Sequence, residues 1–378
     1  MPNGWESIAT MLMAWVVAGA LAGVPVLLLR LRNGGHQWFP AAPAWRAEWG
    51  GSVVALCFAV TIFAPAVAYG LVRSAGLFDT LYGPGFPIEA PPDRKPSPEE
   101  TSAATLRGLW ASTIAFPISL TIILGILATH TQSIRHFLGL TRRDLARKAF
   151  PAWVAWVILT PVAFGVFIAA NLLLNELSGR IPDKHPLTQL GEFAREREWI
   201  LFALQVVVLA PFMEELIFRG VLLPWMIRPE LRSGPDRVMS CRDRSLIVCA
   251  LAISTTVILH LGDIQGAFRE RDWFSLAEHL ASTLFLVLLL PLFLLLPRWS
   301  KLGRSIRLRS LRQGRAVFAN AMLFAAVHAS VWPSPVPLFV LGLGLGWLAI
   351  RSRGILVPFL VHALFNSVSC IYMLMGGE

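Results

Sequence analysis

Long apolar segments separated by short polar segments run along the chain. A membrane-spanning helix needs about 20 consecutive apolar residues, whereas a strand of a membrane barrel needs about 10 and alternates in polarity. The apolar segments do not alternate in this way, so they predict an all-α, polytopic transmembrane helical bundle with about 8–10 spanning helices. They lie near residues 7–30, 51–73, 108–130, 151–175, 199–227, 245–261, 280–297, 316–331, 336–350 and 354–375.

Composition agrees with a membrane protein. The chain is 55% hydrophobic and 15% charged, with a mean hydropathy of +0.61, whereas a soluble domain is usually about 25% charged. The net charge is +10, but the basic residues lie in loops between apolar blocks, which is the bias of cytoplasmic loops. We therefore expect a multi-pass protein of the bacterial cytoplasmic membrane, with membrane lipids and no nucleic acid as partners.

Basic loops follow the odd-numbered apolar blocks. This alternation predicts that these loops share the cytoplasmic side and that both termini lie outside, with the first block as an uncleaved span. For the segment RLRSLRQGR, binding of anionic lipid headgroups is an alternative to a simple topology signal. The basic loops contain Arg30, Arg32 and Arg46, then HFLGLTRRDLARK, RPELRSGPDR with CRDR, RWSKLGRSIRLRSLRQGR, and RSR.

The segment PFMEELIFRG, residues 211–220, places three charges within an apolar block. Each charge near a bilayer centre costs about 2.5–3.5 kcal/mol on insertion scales, so such residues usually pair or face a cavity. On a helix, Glu215 and Arg219 lie four residues apart and face each other, which leaves Glu214 available as a general base. A buried structural cluster and an ion path are the alternative interpretations.

Two later helices also carry polar groups at membrane depth. His328 follows Phe324 by four residues in MLFAAVHASVWP, and His362 precedes Asn366 by four in VPFLVHALFNSVS. A lone intramembrane histidine is usually a hydrogen-bonded core residue or a proton relay. Polar groups on three separate helices indicate instead a shared intramembrane cavity, which would hold the active site.

These motifs resemble those of the CPBP or ABI family of intramembrane proteases, related to CAAX prenyl endopeptidases and bacteriocin-processing proteins. That family carries Glu-Glu-x-x-x-Arg, Phe-x-x-x-His and His-x-x-x-Asn motifs on separate membrane helices, and here they stand as EELIFR, FAAVH and HALFN. The resemblance covers residues 138–375. It implies a protease domain over 138–378, preceded by an N-terminal part, 1–137, of about three spans with a Pro-rich outer loop.

The distance between the first two motifs is longer than is usual in that family. An inserted helical hairpin and basic loop at 245–315 would account for it, and two added spans would leave the direction of the chain at His328 unchanged. His260, in TTVILHLGD, lies at the more usual distance from Glu214, but it has no Phe four residues before it and no Gly-rich helix after it. His328 is therefore the predicted partner of Glu214.

The resemblance implies hydrolysis of a peptide bond by an activated water molecule. Glu214 would activate the water, and His328 would assist as a base or orient the water. His362 and Asn366 would donate hydrogen bonds to the oxyanion that forms when the water attacks the peptide carbonyl. The expected activity is that of a CAAX-type intramembrane endopeptidase.

The role of a metal is open at the level of the sequence. Glu215 and Arg219 would hold the first motif helix in register on either mechanism. Because family members are often classed as metalloproteases, a divalent metal such as zinc, bound by Glu214, His328 and His362, is one alternative. The chain has no His-Glu-x-x-His motif, which favours direct catalysis by a glutamate that needs no cofactor.

The identity of the substrate is also open. A prenylated CAAX-like peptide, a bacteriocin leader, another lipidated peptide and a membrane-anchored regulator would all need the same attack by water. Two functions of other classes remain as alternatives: a proton-coupled transporter, in which Glu214, His328 and His362 relay protons, and a non-cleaving membrane scaffold. A transporter would be expected to contain an internal repeat with matching broken helices, and the sequence shows none.

Overall fold

The computed structural model describes residues 47–83, 97–178, 196–228, 239–271, 273–295 and 311–374, with a few isolated positions outside these ranges. The regular elements in these ranges are helices. They are α1 (Gly51–Ser74), α2 (Leu77–Tyr82), α3 (Pro98–Ala128), α4 (Ile134–Leu138), α5 (Arg142–Ser178), α6 (196–227), α7 (Cys241–Glu270), α8 (Trp273–Leu295), α9 (Leu311–Ala326), α10 (Pro335–Ser352) and α11 (Leu356–Leu374).

The structure confirms an all-α, polytopic bundle. Within the described ranges, six helices are long and apolar enough to cross a membrane, and two shorter apolar helices cover His279–Leu295 and Leu356–Ile371. The helix at the apolar block 245–261 is longer than the block and runs from Cys241 to Glu270. A capping box between Ser240 and Asp243 starts α7 before the apolar block begins. The first predicted span, 7–30, lies almost wholly outside the described residues.

The described residues form two compact units. The first contains mainly those within 138–182 and 218–361, and the second contains those within 48–137, 183–217 and 362–378. Helices α6 and α11 each pass from one unit to the other along their length. The division at residue 137 and the insertion at 245–315 remain predictions about the domain organisation.

The first unit is built around α9, in which every side chain from 316 to 326 is buried. Helix α10 packs against α9 in the antiparallel direction: a Cβ on Gly342 would lie 3.1 Å from the Cβ of Ala321, and one on Gly346 would lie 3.1 Å from Val317 Cγ1. These two glycines bring the helix backbones close together, which is how helices commonly associate in membranes. Helix α7 also packs against α9.

The basic helix ends of the first unit meet in pairs. Lys148, near the start of α5, donates to the backbone oxygen of Ser352 at the end of α10 over 2.9 Å. Cys241, at the start of α7, donates through Sγ to the backbone oxygen of Arg312 at the start of α9, over 3.4 Å. Since α9 and α10 are antiparallel, all four ends lie on one side of the unit, as the distribution of basic loops predicts.

The second unit contains α1, which packs against α3, and the first part of α6. Trp110 donates through Nε1 to the Tyr82 hydroxyl over 2.9 Å, and that hydroxyl donates to Glu198 Oε1 over 3.1 Å. Glu198 is buried and also accepts from Arg197. Burial raises the pKa of the Tyr82 phenol, while the hydrogen bond from Trp110 acts in the opposite direction.

Candidate functional site

Helix α6, which carries the two adjacent glutamates, contains two π-helical segments. Segments of π-helix, Gln205–Leu209 and Glu215–Leu222, interrupt the α-helical segments Glu196–Leu204, Ala210–Glu214 and Leu223–Ile227. A π-helix pairs each carbonyl with the N–H five residues later, and such segments are frequent at functional sites. Both glutamates therefore lie at a junction between an α-helical and a π-helical segment.

Asn366 binds α6 where this register leaves a carbonyl without a backbone donor. The Ala210 N–H donates to Gln205 O, five residues back. The next carbonyl in the same register, that of Val206, would need an N–H from Pro211, which proline lacks. Asn366 supplies the missing donor, because its Nδ2 donates to Val206 O over 2.9 Å. An amide NH₂ carries two N–H groups, so this bond uses one of them.

His362 lies between the two glutamates. Its Nδ1 is 3.0 Å from Glu215 Oε1, a hydrogen-bond distance, and its Nε2 is 3.8 Å from Glu214 Oε2. The Glu215 side chain is fully buried, whereas 27% of the Glu214 side chain is exposed. The sequence predicted this histidine near Glu214 but did not predict its bond to Glu215.

The contact between His362 and Glu215 restricts where protons can lie. An ionised carboxylate only accepts hydrogen bonds, so a proton must lie between Nδ1 and Glu215 Oε1. For Nε2 to donate as well, the ring must carry a second proton there, and the pair of His362 and Glu215 is then neutral overall. Glu215 thus orients the imidazole ring and compensates the charge that a doubly protonated ring carries.

Arg219 belongs to the first unit and is fully buried there. Its Nη2 donates to Gly342 O over 3.4 Å, and its guanidinium carbon lies 4.5 Å from the ring centroid of Phe324. A cation over an aromatic face is stabilised by the ring quadrupole, the more so when both are desolvated. The predicted pair of Arg219 and Glu215 remains a prediction.

His328 lies in a turn two residues after α9 ends at Ala326. Its Nδ1 is 2.7 Å from Phe324 O, and its ring centroid is 4.8 Å from that of Phe324. A backbone carbonyl only accepts, so this hydrogen bond places a proton on Nδ1. On a ring that carries one proton, the basic nitrogen is then Nε2.

His260, the alternative to His328, is in α7 of the same unit. It is buried, with Nδ1 2.9 Å from Thr256 O and its ring centroid 5.4 Å from that of His279. Its hydrogen bond to the preceding turn matches that of His328, so local geometry does not separate the two histidines. The choice of His328 remains a prediction based on its motif.

Asn320 is a buried polar residue that the sequence analysis missed. Its Nδ2 donates to Phe218 O, within the second π-helical segment of α6, over 2.8 Å. Asn320, Phe324 and His328 follow one another at intervals of four residues, which places them in one row along a helix. That row in an otherwise apolar segment was the signal that would have identified it.

A metal site needs several ligand side chains close together. Across the described ranges, no three or more His, Cys, Asp and Glu side chains are grouped in a way that could hold a metal ion. The ring of His362 has Nδ1 engaged by Glu215. The ligand set of Glu214, His328 and His362 therefore remains only the sequence-based alternative.

Part of the chain matches the model of a known family. The family model for Rce1-like proteins, described as type II CAAX prenyl endopeptidase Rce1-like, matches residues 196–368. This segment begins at α6 and ends within α11, so it contains all three motifs. No curated protein and no solved structure matches the chain.

Proposed function

We propose that this multi-pass membrane protein hydrolyses a peptide bond near the membrane through a water molecule that Glu214 activates. The family supports this proposal, because residues 196–368 belong to the Rce1-like family of type II CAAX prenyl endopeptidases. The observation that carries the proposal is the position of His362 between Glu214 and Glu215. Two carboxylates and an imidazole in apolar helices cost free energy of insertion, and such groups usually mark a reaction site or a transport path.

Glu214 acts as the general base. It accepts a proton from water as the water oxygen attacks the peptide carbonyl carbon, which gives a tetrahedral intermediate with a negative oxygen. When the C–N bond breaks, the proton passes from Glu214 to the leaving nitrogen, so that the products are a carboxylic acid and an amine. The partial exposure of Glu214, in contrast to the burial of Glu215, supports this division of roles.

His362 and Asn366 donate to the oxyanion. His362 does so through Nε2, with Glu215 balancing the charge of the doubly protonated ring. Asn366 does so through the N–H that its bond to Val206 leaves over. Donors of this kind are worth about 2.7–4 kcal/mol each when they are fixed before the reaction, and both side chains are fixed by hydrogen bonds.

His328 assists as a second base or by orienting the water. This assignment rests on the FAAVH motif and on the tautomer that Phe324 O selects. Arg219 supports α6 through Gly342 O and the Phe324 ring. We assign no step to a metal, because the mechanism is complete in protons and electrons without one.

The proposed substrate is a peptide or protein segment at the membrane surface, with a prenylated CAAX-like C-terminus as the first choice and a leader peptide as the second. The test uses purified full-length protein in liposomes with both kinds of peptide. Glu214→Gln should lower cleavage by about 10² or more, the usual contribution of a general base, because it removes the base and keeps the shape. Cleavage is measured by mass spectrometry of the peptides.

Glu176→Gln is the matched control, because Glu176 is exposed near the end of α5, and it should leave cleavage unchanged. Retention of most activity in Glu214→Gln would contradict the assignment. If no peptide is cleaved but protons cross the liposome membrane in a Glu214-dependent way, the transporter alternative holds. Binding of peptide without cleavage or proton flux would indicate a scaffold.

Chelation tests the metal alternative. We expect full activity in protein whose metal content, measured by elemental analysis after thorough chelation, is far below one ion per chain. Loss of activity that one equivalent of zinc restores would replace direct glutamate catalysis by a metal mechanism.

A further inference from the structure

A cavity of about 210 Å³ lies in the first unit, where the starts of α7 and α9 meet. The two helix starts are joined by the bond from Cys241 Sγ to Arg312 O. Arginine is the most frequent residue type in the lining, and none of the described residues that line it is acidic. The lining residues are Ser240, Cys241, Arg242, Arg312 and Arg315.

The nearby carboxylate of Asp243 interacts with the charge of Arg242, which lines the cavity, but it is not itself part of the lining. Asp243 is exposed, and its Oδ2 accepts from the N–H and the hydroxyl of Ser240. Arg244 points elsewhere, because its guanidinium donates to Trp225 O and Arg228 O over 2.6 Å each. Three arginines line the cavity, and an oxyanion that accepts from guanidinium N–H groups would offset their mutual repulsion.

The size of the cavity selects a small group. Sites for drug-sized ligands usually measure about 300–1,000 Å³, so 210 Å³ suits a phosphate group rather than a whole metabolite. The cavity also lies on the side where the basic helix ends meet, which the positive-inside rule assigns to the cytoplasmic surface of the membrane. Anionic lipid headgroups are the phosphate source at that surface.

A row of exposed apolar side chains leads from the cavity along α7. Ser240 lines the cavity, and Ile247, Leu251 and Ile258 follow it at intervals of seven, four and seven residues, which places them on one face of the helix. These three side chains are 43%, 52% and 71% exposed. The face is therefore fitted to an acyl chain, while its cytoplasmic end carries the arginines.

We propose that this cavity binds the phosphate of an anionic phospholipid, with one acyl chain along the row of Ile247, Leu251 and Ile258. The arginines of both helix starts contact one headgroup, so the lipid holds the start of α7 against the start of α9. The site is separate from the residues assigned to peptide hydrolysis, and lipid binding does not require cleavage.

Native mass spectrometry of the delipidated full-length protein tests this. Phosphatidylglycerol and phosphatidylcholine with identical acyl chains are added in turn. One phosphatidylglycerol should be retained at concentrations where phosphatidylcholine is not, and R312Q/R315Q should weaken that retention by about tenfold or more, because bonds to charged groups are the strongest contributors. R242Q serves as the test if the double variant does not fold, because Arg242 is exposed. R242Q should weaken the retention of phosphatidylglycerol to a smaller extent.

R269Q/R271Q is the matched control. It removes two exposed charges at the opposite end of α7, one in the helix and one in the turn after it. This variant should retain the lipid as the wild type does. Equal retention of both lipids by the wild type, or unchanged retention in R312Q/R315Q and R242Q, would overturn the proposal. Inorganic phosphate is titrated in parallel. If millimolar phosphate displaces phosphatidylglycerol completely, the cavity is a site for free anions and the lipid assignment is wrong.

Discussion

At the scale of single residues, Asn366 has two roles, and the His-x-x-x-Asn motif does not show which of them it reports. One N–H of its amide supplies the donor that Pro211 withholds from Val206 O, and the other is free in the proposed mechanism to bind the oxyanion. The first role concerns the register of α6, and the second concerns the reaction. Because the cause of the first role is a single proline, the two can be separated by substitution.

Asn366→Ala should lower both stability and cleavage. The Val206 carbonyl is partly buried, and the loss of its donor should cost up to about 1–3 kcal/mol, so the melting temperature in detergent should fall. Adding Pro211→Ala restores a backbone N–H five residues after Val206, and the double variant should recover the melting temperature without recovering cleavage. Pro211→Ala alone is the control. Recovery of cleavage in the double variant would show that Asn366 acts only through Val206 and makes no contact with the oxyanion.

At the scale of helices, close backbone approach is set by a few glycines. Gly354, in the turn between α10 and α11, lies against the end of α4, where Ile355 N donates to Leu138 O over 2.8 Å. A Cβ on Gly354 would be 2.5 Å from Leu138 O and 2.9 Å from the Cα of Gly139. Both neighbours are backbone atoms, which cannot rotate away as a side chain can.

Gly354→Ala should therefore destabilise the protein by about 1–3 kcal/mol, the usual range for overpacking. Gly125→Ala in α3 is the control, because a Cβ there meets nothing within 4 Å and alanine favours the helix by up to about 1 kcal/mol. Thermal unfolding in detergent measures both. Equal melting temperatures for the two variants would mean that the turn moves away from α4 at little cost.

The apolar blocks were sufficient to predict the long helices in the described ranges, but not the short helices α2 and α4 or the internal register of α6. Hydropathy reports how long a segment is, and it does not report whether a carbonyl pairs with the fourth or the fifth N–H. The two π-helical segments of α6 and the bond from Asn320 to Phe218 O were therefore missed. In a membrane protein, lipid-facing and buried side chains are both apolar, so the pattern also hides which face of a helix packs.

At the scale of the whole molecule, helices outside the family match take part in the unit that holds Glu214. Within the second unit, α3 packs against α6: Phe116 and Phe212 meet edge to face with centroids 6.3 Å apart, and Thr113 lies 3.4 Å from Gln205 Oε1. Phe212 is two residues before Glu214. The motifs predicted candidate site residues, but they carried no information about this neighbour, because it belongs to a part of the chain that the family match does not reach.

The last prediction concerns the orientation of the helices in the membrane. Helix α7 rises about 1.5 Å per residue, so Arg242 and Asp263 lie about 32 Å apart, close to the thickness of a bilayer core. The starts of α7 and α9 lie together. The test uses a background in which the four buried cysteines are replaced by alanine: Cys57, Cys241, Cys249 and Cys370. In this background, R242C and R312C should react with a membrane-impermeant maleimide only from the cytoplasmic side. D263C should react only from the outside. Reaction of R242C and R312C from opposite sides would contradict the packing of α7 and α9, whereas reaction of both from the outside would invert the topology and place the arginine cavity on the outer surface.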